Sequence, residues 1–141
     1  MDNWVYEESF RTRLAWLKYP DKQQANAAVH FPHYPHRHAS VSPDLTRKRL
    51  FGCMINGGWL DFYCIGRFNG QEDRLGLDQV EDVFRFHAEN ERWLTNTVEL
   101  ADVGLAVENE GRSDEARGLI DMLSQAHVSY GFVSLAKNDL A

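Results

Sequence analysis

Apolar positions recur with helical spacing at the start of the chain. In YEESFRTRLAWLKYP, Phe10, Leu14 and Leu17 fall at i, i+4 and i+7. One stripe of that period predicts a helix, ended by Pro20. QQANAAVHF follows as a short strand candidate, weakened by alanine, a poor strand former. SPDLTRKRLFGCMINGG carries strong helix punctuation. Ser42 suits the N-cap, Pro43 the first helical position and Asp44 the positive helix end, while Gly57 and Gly58 supply the stop. WLDFYCIG is almost wholly apolar and aromatic, with Asp61 as its exception. Without clean alternation it predicts a strand covered on both faces, as in parallel sheets. After the loop RFNGQEDRLG, DQVEDVFRFHAENERWL predicts a helix with Val80, Val83, Phe84, His87 and Leu94 near one face. Asp78 and Glu81 resemble a capping box at its start.

A boundary is expected near TNTVEL, giving domains 1–97 and 98–141. In the second, ADVGLAV reads as a buried strand and ENEGRSDEA as a polar turn with Ser113 as N-cap. EARGLIDMLSQAH is amphipathic through Ala116, Leu119, Ile120 and Leu123, and VSYGFVSL is the next strand. Alternating helices and strands define an α/β chain with parallel pairing. Internal repeats and low-complexity segments are absent from the sequence. Neither part reads as finished: each offers two strands, whereas an eightfold barrel needs about 250 residues. Either four strands form one unusual sheet, or the sequence is a piece of a larger protein.

The apolar content, 43% of 141 residues with 12% aromatic, is enough to build a core. A net charge of −6 argues against a general nucleic-acid binder, and no basic stripe interleaves with aromatics. The run TRKRL reads as a solvated helix face. Cys53 and Cys64 lie in apolar runs, so buried free thiols in a reducing compartment are expected. Paired-cysteine zinc spacing is lacking. MDNWVYEESF has no signal-peptide pattern, and no apolar run reaches membrane-spanning length. The simplest expectation is a cytoplasmic chain with no membrane partner.

Three longer stretches carry a resemblance: PHRHASVSP, NGGWLDFYCIGR and EDRLG with VFRFHAENE beyond it. In this order they resemble a family of bacterial glycoside hydrolases that join a (β/α)8 barrel to a flavodoxin-like domain akin to the trimerisation domain of certain β-galactosidases. ADVGLAV and EARGLIDMLSQAHVSYGFV resemble the first βαβ unit of that second domain. The resemblance implies the last two β/α units of a barrel, followed by the opening βαβ of a flavodoxin-like domain. Strand seven would be about residues 26–31 and strand eight about residues 60–66, with six strands missing. It further implies hydrolysis of O-glycosidic bonds of a carbohydrate substrate and inactivity of this portion alone, while exposed barrel edges and an unfinished sheet would favour homo-oligomerisation. Asn69 stands where the family is expected to carry Asp in the loop after strand eight.

Barrel active sites lie at the carboxyl ends of the strands. Two loops qualify, residues 32–42 and 67–76. His36, Arg37, His38, Arg67 and Asn69 are the candidate sugar-binding residues, and Glu72 and Asp73 the candidate catalytic carboxylates. Glycoside hydrolysis places two carboxyl groups roughly 5 to 10 Å apart across the bond. Sequence neighbours in an extended loop point apart, so at most one of Glu72 and Asp73 serves. The alternative is that they pair with Arg67 or Arg74 and order the loop. Asp61 would be a barrel-interior contact or a partner of an arginine such as Arg37. The stretch HFPHYPHRHAS holds His30, His33, His36 and His38. A metal-dependent enzyme using this cluster is one alternative. It is disfavoured because only His36 and His38 share a side in an extended loop and no acidic residue lies within the run, so neither a metal nor a cofactor is expected. His87 and His127 read as packing or capping residues on helices. ENEGRS lies where open α/β sheets bind anions, yet it lacks a Gly-x-Gly-x-x-Gly pattern and brings Glu108 and Glu110. A non-catalytic α/β interaction module with exposed sheet edges is the remaining alternative.

Overall fold

The computed structural model describes residues 4–107 and 114–134. Among these the order is α1 (Glu7–Lys18), β1 (Ala25–Val29), α2 (Pro43–Met54), β2 (Trp59–Tyr63), α3 (Leu77–Leu94), β3 (Val103–Val107), α4 (Asp114–Gln125) and β4 (Tyr130–Ser134). The chain is a mixed α/β protein. Its described strands form two parallel pairs, β1 with β2 and β3 with β4. It divides into two compact units, residues 1–12 with 23–97 and residues 13–22 with 98–141.

In the first unit, α2 starts and stops by local chemistry. The Ser42 hydroxyl accepts the Leu45 N–H at 3.2 Å, and Pro43 opens the helix. At the other end Gly57 adopts φ 75°, its N–H bonds the Met54 carbonyl at 3.0 Å, and the Gly58 N–H bonds the Cys53 carbonyl at 3.0 Å. This paired closure needs the left-handed conformation that glycine adopts without strain. Gly58 is required for space instead: a Cβ there would sit 2.6 Å from Cys53 Sγ. Helix α3 begins earlier than its sequence suggests. It follows Gly76, which is buried against Thr46, so Asp78 falls inside the first turn. Glu81 pairs with Arg85 at 2.5 Å, and the expected capping box does not form.

The pairing register sets Ala28 opposite Phe62, with Asn26 opposite Leu60 on the same face. Ala28, Leu50 and Val83 are almost wholly buried there, and Phe51, Leu60, Phe62 and Val80 pack around them. Helices α2 and α3 therefore cover one face of the β1–β2 pair. The opposite face is open: Trp59 is 60% and Tyr63 43% exposed, and Asp61 between them is exposed too. Strand β2 thus alternates, contrary to the two-sided coverage expected, and Asp61 stays in water without a buried partner. Cys53 is buried, whereas Cys64 is only half-buried.

The run TRKRL is not uniformly solvated. Arg47 and Lys48 face water, but Thr46 and Arg49 are buried, Arg49 to 2% exposure. Arg49 Nη1 donates to the Val29 carbonyl at 3.3 Å, and its Nε lies 3.7 Å from Glu8 Oε1. Glu8 is buried as well. Loss of water pushes its carboxyl up to about 7, against the attraction of Arg49. The repulsion of Glu7 adds to that rise, and Arg11 opposes it.

In the second unit, Leu105, Tyr130 and Phe132 of the β3–β4 pair and Ile120 of α4 are buried, with Leu105 opposite Phe132 in register. The Arg13 guanidinium lies 4.3 Å from the Tyr130 ring centroid, donates to the Tyr130 carbonyl, and sits 3.4 Å from Glu99. Of the stripe expected on α4, Ile120 is buried and Ala116 and Leu123 half-buried, while Leu119 is exposed. His127 does not ride on the helix; it ends it. Its φ is 55°, its N–H bonds the Ser124 carbonyl at 3.3 Å, and the Val128 N–H reaches the Leu123 carbonyl at 2.9 Å. Glu108, Glu110 and Ser113, with the ENEGRS loop, lie outside the described residues.

The raised Glu8 carboxyl has a signed consequence. A group that holds its proton more tightly when folded favours the fold at low pH, and that advantage fades as pH rises through the folded value. Relative to Glu8→Gln, the wild-type chain should lose roughly 3 kcal/mol of unfolding free energy between about pH 4.5 and pH 7.5. Urea unfolding of both proteins across that range checks this, and parallel curves would refute it.

Candidate functional site

The carboxyl ends of β1 and β2 lie side by side because the strands are parallel and in register. The ladder continues one residue further, with the His30 N–H on the Tyr63 carbonyl at 2.8 Å. The loop after β1 returns to its own start, where the Val41 N–H bonds the His30 carbonyl at 2.7 Å. Beneath it Phe31 is fully buried, with its ring centroid 5.4 Å from Tyr34 and 5.9 Å from Tyr63. The loop after β2 turns at Gly66, φ 92°, and is held from inside by Gln71. The buried Gln71 amide donates to the carbonyls of Ile65 at 2.8 Å and Arg67 at 3.1 Å.

Asp73 joins the two loops. Its Oδ2 accepts the Ser40 N–H at 2.9 Å and its Oδ1 the Leu75 N–H at 3.2 Å. Its carbonyl lies 3.0 Å from His30 Nε2. A carbonyl only accepts, so Nε2 carries a hydrogen; the ring's other nitrogen is Nδ1. That Nδ1 is buried with no partner among the described residues. The Ser40 contacts, with the Leu75 N–H, hold the Asp73 carboxyl below the usual carboxylate range. The tie therefore stays in its charged form down to pH values where a free aspartate is protonated.

The remaining sequence candidates stand on the rim so formed. His36, Arg37, His38, Arg67, Asn69 and Glu72 are all exposed. Arg37 closes the 3-10 turn Tyr34–His36, and Asn69 sits in the second such turn, Phe68–Gly70. Phe68 stacks on Phe62 at 6.3 Å and 17°. Arg74 Nη1 donates to the Phe68 carbonyl at 3.0 Å rather than pairing with Glu72 or Asp73. Glu72, Asp73, Arg74, Leu75 and Asp78 line a surface cleft of about 510 Å³. It offers carboxylates and a guanidinium beside one apolar side chain.

The four histidines do not converge. His30 is buried at the strand end, whereas His33, His36 and His38 are exposed. Only His33 and His36 meet, with His36 Nδ1 2.9 Å from His33 Nε2. Among the described residues no three histidine, cysteine, aspartate or glutamate side chains are grouped to hold a metal ion. No described helix is long and apolar enough to cross a membrane. Sequence reasoning missed Ser40, Gln71 and Asp78 as parts of this region. Ser40 and Gln71 act through contacts set by the fold, and Asp78 was assigned to a helix cap.

The chain matches no family model, no curated protein and no solved structure.

Removing the Asp73 carboxylate should loosen both loops at once. In Asp73→Ala, hydrogen exchange at the Ser40 and Leu75 amides should accelerate together, with the amides of α4 unchanged. Acceleration at Leu75 alone would show that the two loops are not joined through this side chain.

Proposed function

We propose that the first unit is the closing pair of β/α units of a (β/α)8 glycoside hydrolase-type barrel, and that its rim binds carbohydrate. The observation that carries this reading is the joining of two loops by Asp73 at the shared carboxyl end of two parallel strands. In β/α barrels that end is where substrate is held. On this reading Arg37, His36, His38, Arg67 and Asn69 contact sugar hydroxyls. Glu72 is the freer of the two adjacent carboxylates and the better placed to reach a ligand, since both oxygens of Asp73 already accept backbone hydrogens. The second carboxyl group that glycoside hydrolysis requires would come from strands outside this sequence. The β3–α4–β4 unit would then open a flavodoxin-like domain, a proposal supported by its parallel strand pair and intervening helix.

Saturation-transfer NMR with a panel of free monosaccharides and disaccharides tests the sugar reading. Signal transfer is expected to some of these sugars, reduced in Arg67→Ala and in Glu72→Gln, with no hydrolysis of chromogenic glycosides. Absence of transfer to every sugar would sink the carbohydrate reading. Robust hydrolysis would sink the claim that an essential carboxyl group lies elsewhere.

A second reading is favoured by the open face of the β1–β2 pair. Two-stranded sheets are marginal alone, and parallel sheets are normally covered on both faces. Exposed Trp59 and Tyr63, opposite Ala25 and Val29 in register, would suit association with another copy of the chain. Light scattering should then show a concentration-dependent mass above that of one chain, falling to a single chain in Trp59→Glu. A wild-type chain that stays monomeric at every concentration would rule this out.

A further inference from the structure

We propose that His33 and His36 form a two-imidazole site for a late first-row divalent metal ion, for which zinc is the probe. His33 Nε2 and His36 Nδ1 are 2.9 Å apart, the ring centroids are 4.4 Å apart, and the rings are inclined at 73°. At that separation one nitrogen carries the hydrogen and the other accepts it. Once that hydrogen moves to the other nitrogen of its own ring, the two facing nitrogens offer both lone pairs to one metal ion. Zinc–imidazole bonds of about 2.0–2.1 Å at a tetrahedral angle need the nitrogens about 3.3 Å apart. Widening the gap by a few tenths of an ångström and turning both rings, so that each nitrogen faces the ion instead of its partner, supplies this geometry.

The backbone prepares the pair. His33 immediately precedes the 3-10 turn Tyr34–His36, and the His36 N–H bonds the His33 carbonyl at 2.8 Å. Side chains at i and i+3 come together in 3-10 geometry, and the two rings meet edge to face over the turn. Pro35 lies within it and Pro32 before it, which limits the chain's freedom on either side of His33. The turn is also anchored from below, where Tyr34 packs on the buried Phe31. Both imidazoles are exposed, so a metal ion reaches them without opening the core.

The donor set selects the ion. Imidazole nitrogen suits zinc, copper and nickel, whereas magnesium and calcium take oxygen ligands. With two protein ligands, the remaining coordination positions stay open to water or to a further ligand. The proposal shares His36 with the carbohydrate reading but does not rest on it, because it needs only the geometry of this turn.

Zinc sulfate titration of the full chain, followed by calorimetry and by histidine side-chain NMR, tests it. One zinc per chain is expected, with the ring signals of His33 and His36 moving and that of His127 still. His33→Ala and His36→Gln should each weaken zinc binding more than about tenfold, on the scale by which perturbing a metal site lowers affinity. Their amide spectra should otherwise match the wild type, and His127→Gln should bind as the wild type does. Zinc affinity unchanged in either His33→Ala or His36→Gln would overturn the proposal, as would magnesium binding as tightly as zinc.

Discussion

Two strands hydrogen-bonded in the same direction cannot be joined by a tight turn, and most of the first unit follows from that constraint. The chain leaving β1 must travel back along its length before β2 can start, and α2 makes that return. The helix needs somewhere to bury its apolar side, and the face bearing Ala28 and Phe62 receives it. Small Ala28 leaves room for Leu50 and Val83 to close over the strands. The same constraint brings both strand ends, and so both loops, to one side of the sheet. The Asp73 tie between those loops is possible only because the strand pairing has already put them together.

Burial of Arg49 and Glu8 is the costly part of this arrangement. Each charge has left water, and a 3.7 Å separation with one long hydrogen bond to Val29 offsets only part of that loss. The result is a carboxyl group whose charge is in near balance with its proton around neutrality. The Arg13 arrangement in the second unit contrasts with it. There the guanidinium is flanked by an aromatic face, a carbonyl and a carboxylate, so several weak partners share its charge.

What the sequence made legible was local, and what it hid was set by partners far along the chain. Ser42, Pro43 and Gly57 act within a few residues of themselves, so the bounds of α2 follow from their order. The start of α3 does not, because Gly76 is buried close to Thr46, thirty residues earlier. Arg49 in TRKRL gives no sign of burial until Glu8 on another helix is beside it. The alternation of β2 was masked because Trp59 and Tyr63 are aromatic although they face outward. In the histidine run, an extended loop would have matched His36 with His38. The chain instead turns tightly at Tyr34–His36 and matches His33 with His36. The role of Asp73 is half-visible: its sequence position suggests that it orders the loop, but it does so through the Ser40 and Leu75 backbone hydrogens rather than the neighbouring arginines.

The contact between Gly58 and Cys53 divides the chain's two thiols. The Cys53 sulfur is shut in by the glycine backbone, donates to the Trp59 carbonyl at 3.2 Å, and has its thiol pushed up by burial. Thiolate is the reactive form, so this sulfur is inert towards alkylating or oxidising reagents while the unit is folded. Cys64, just beyond β2 and only half-buried, is the more accessible of the two. Reaction at Cys53 would then report opening of the fold, and the chain carries its own chemical gauge of whether the first unit is intact.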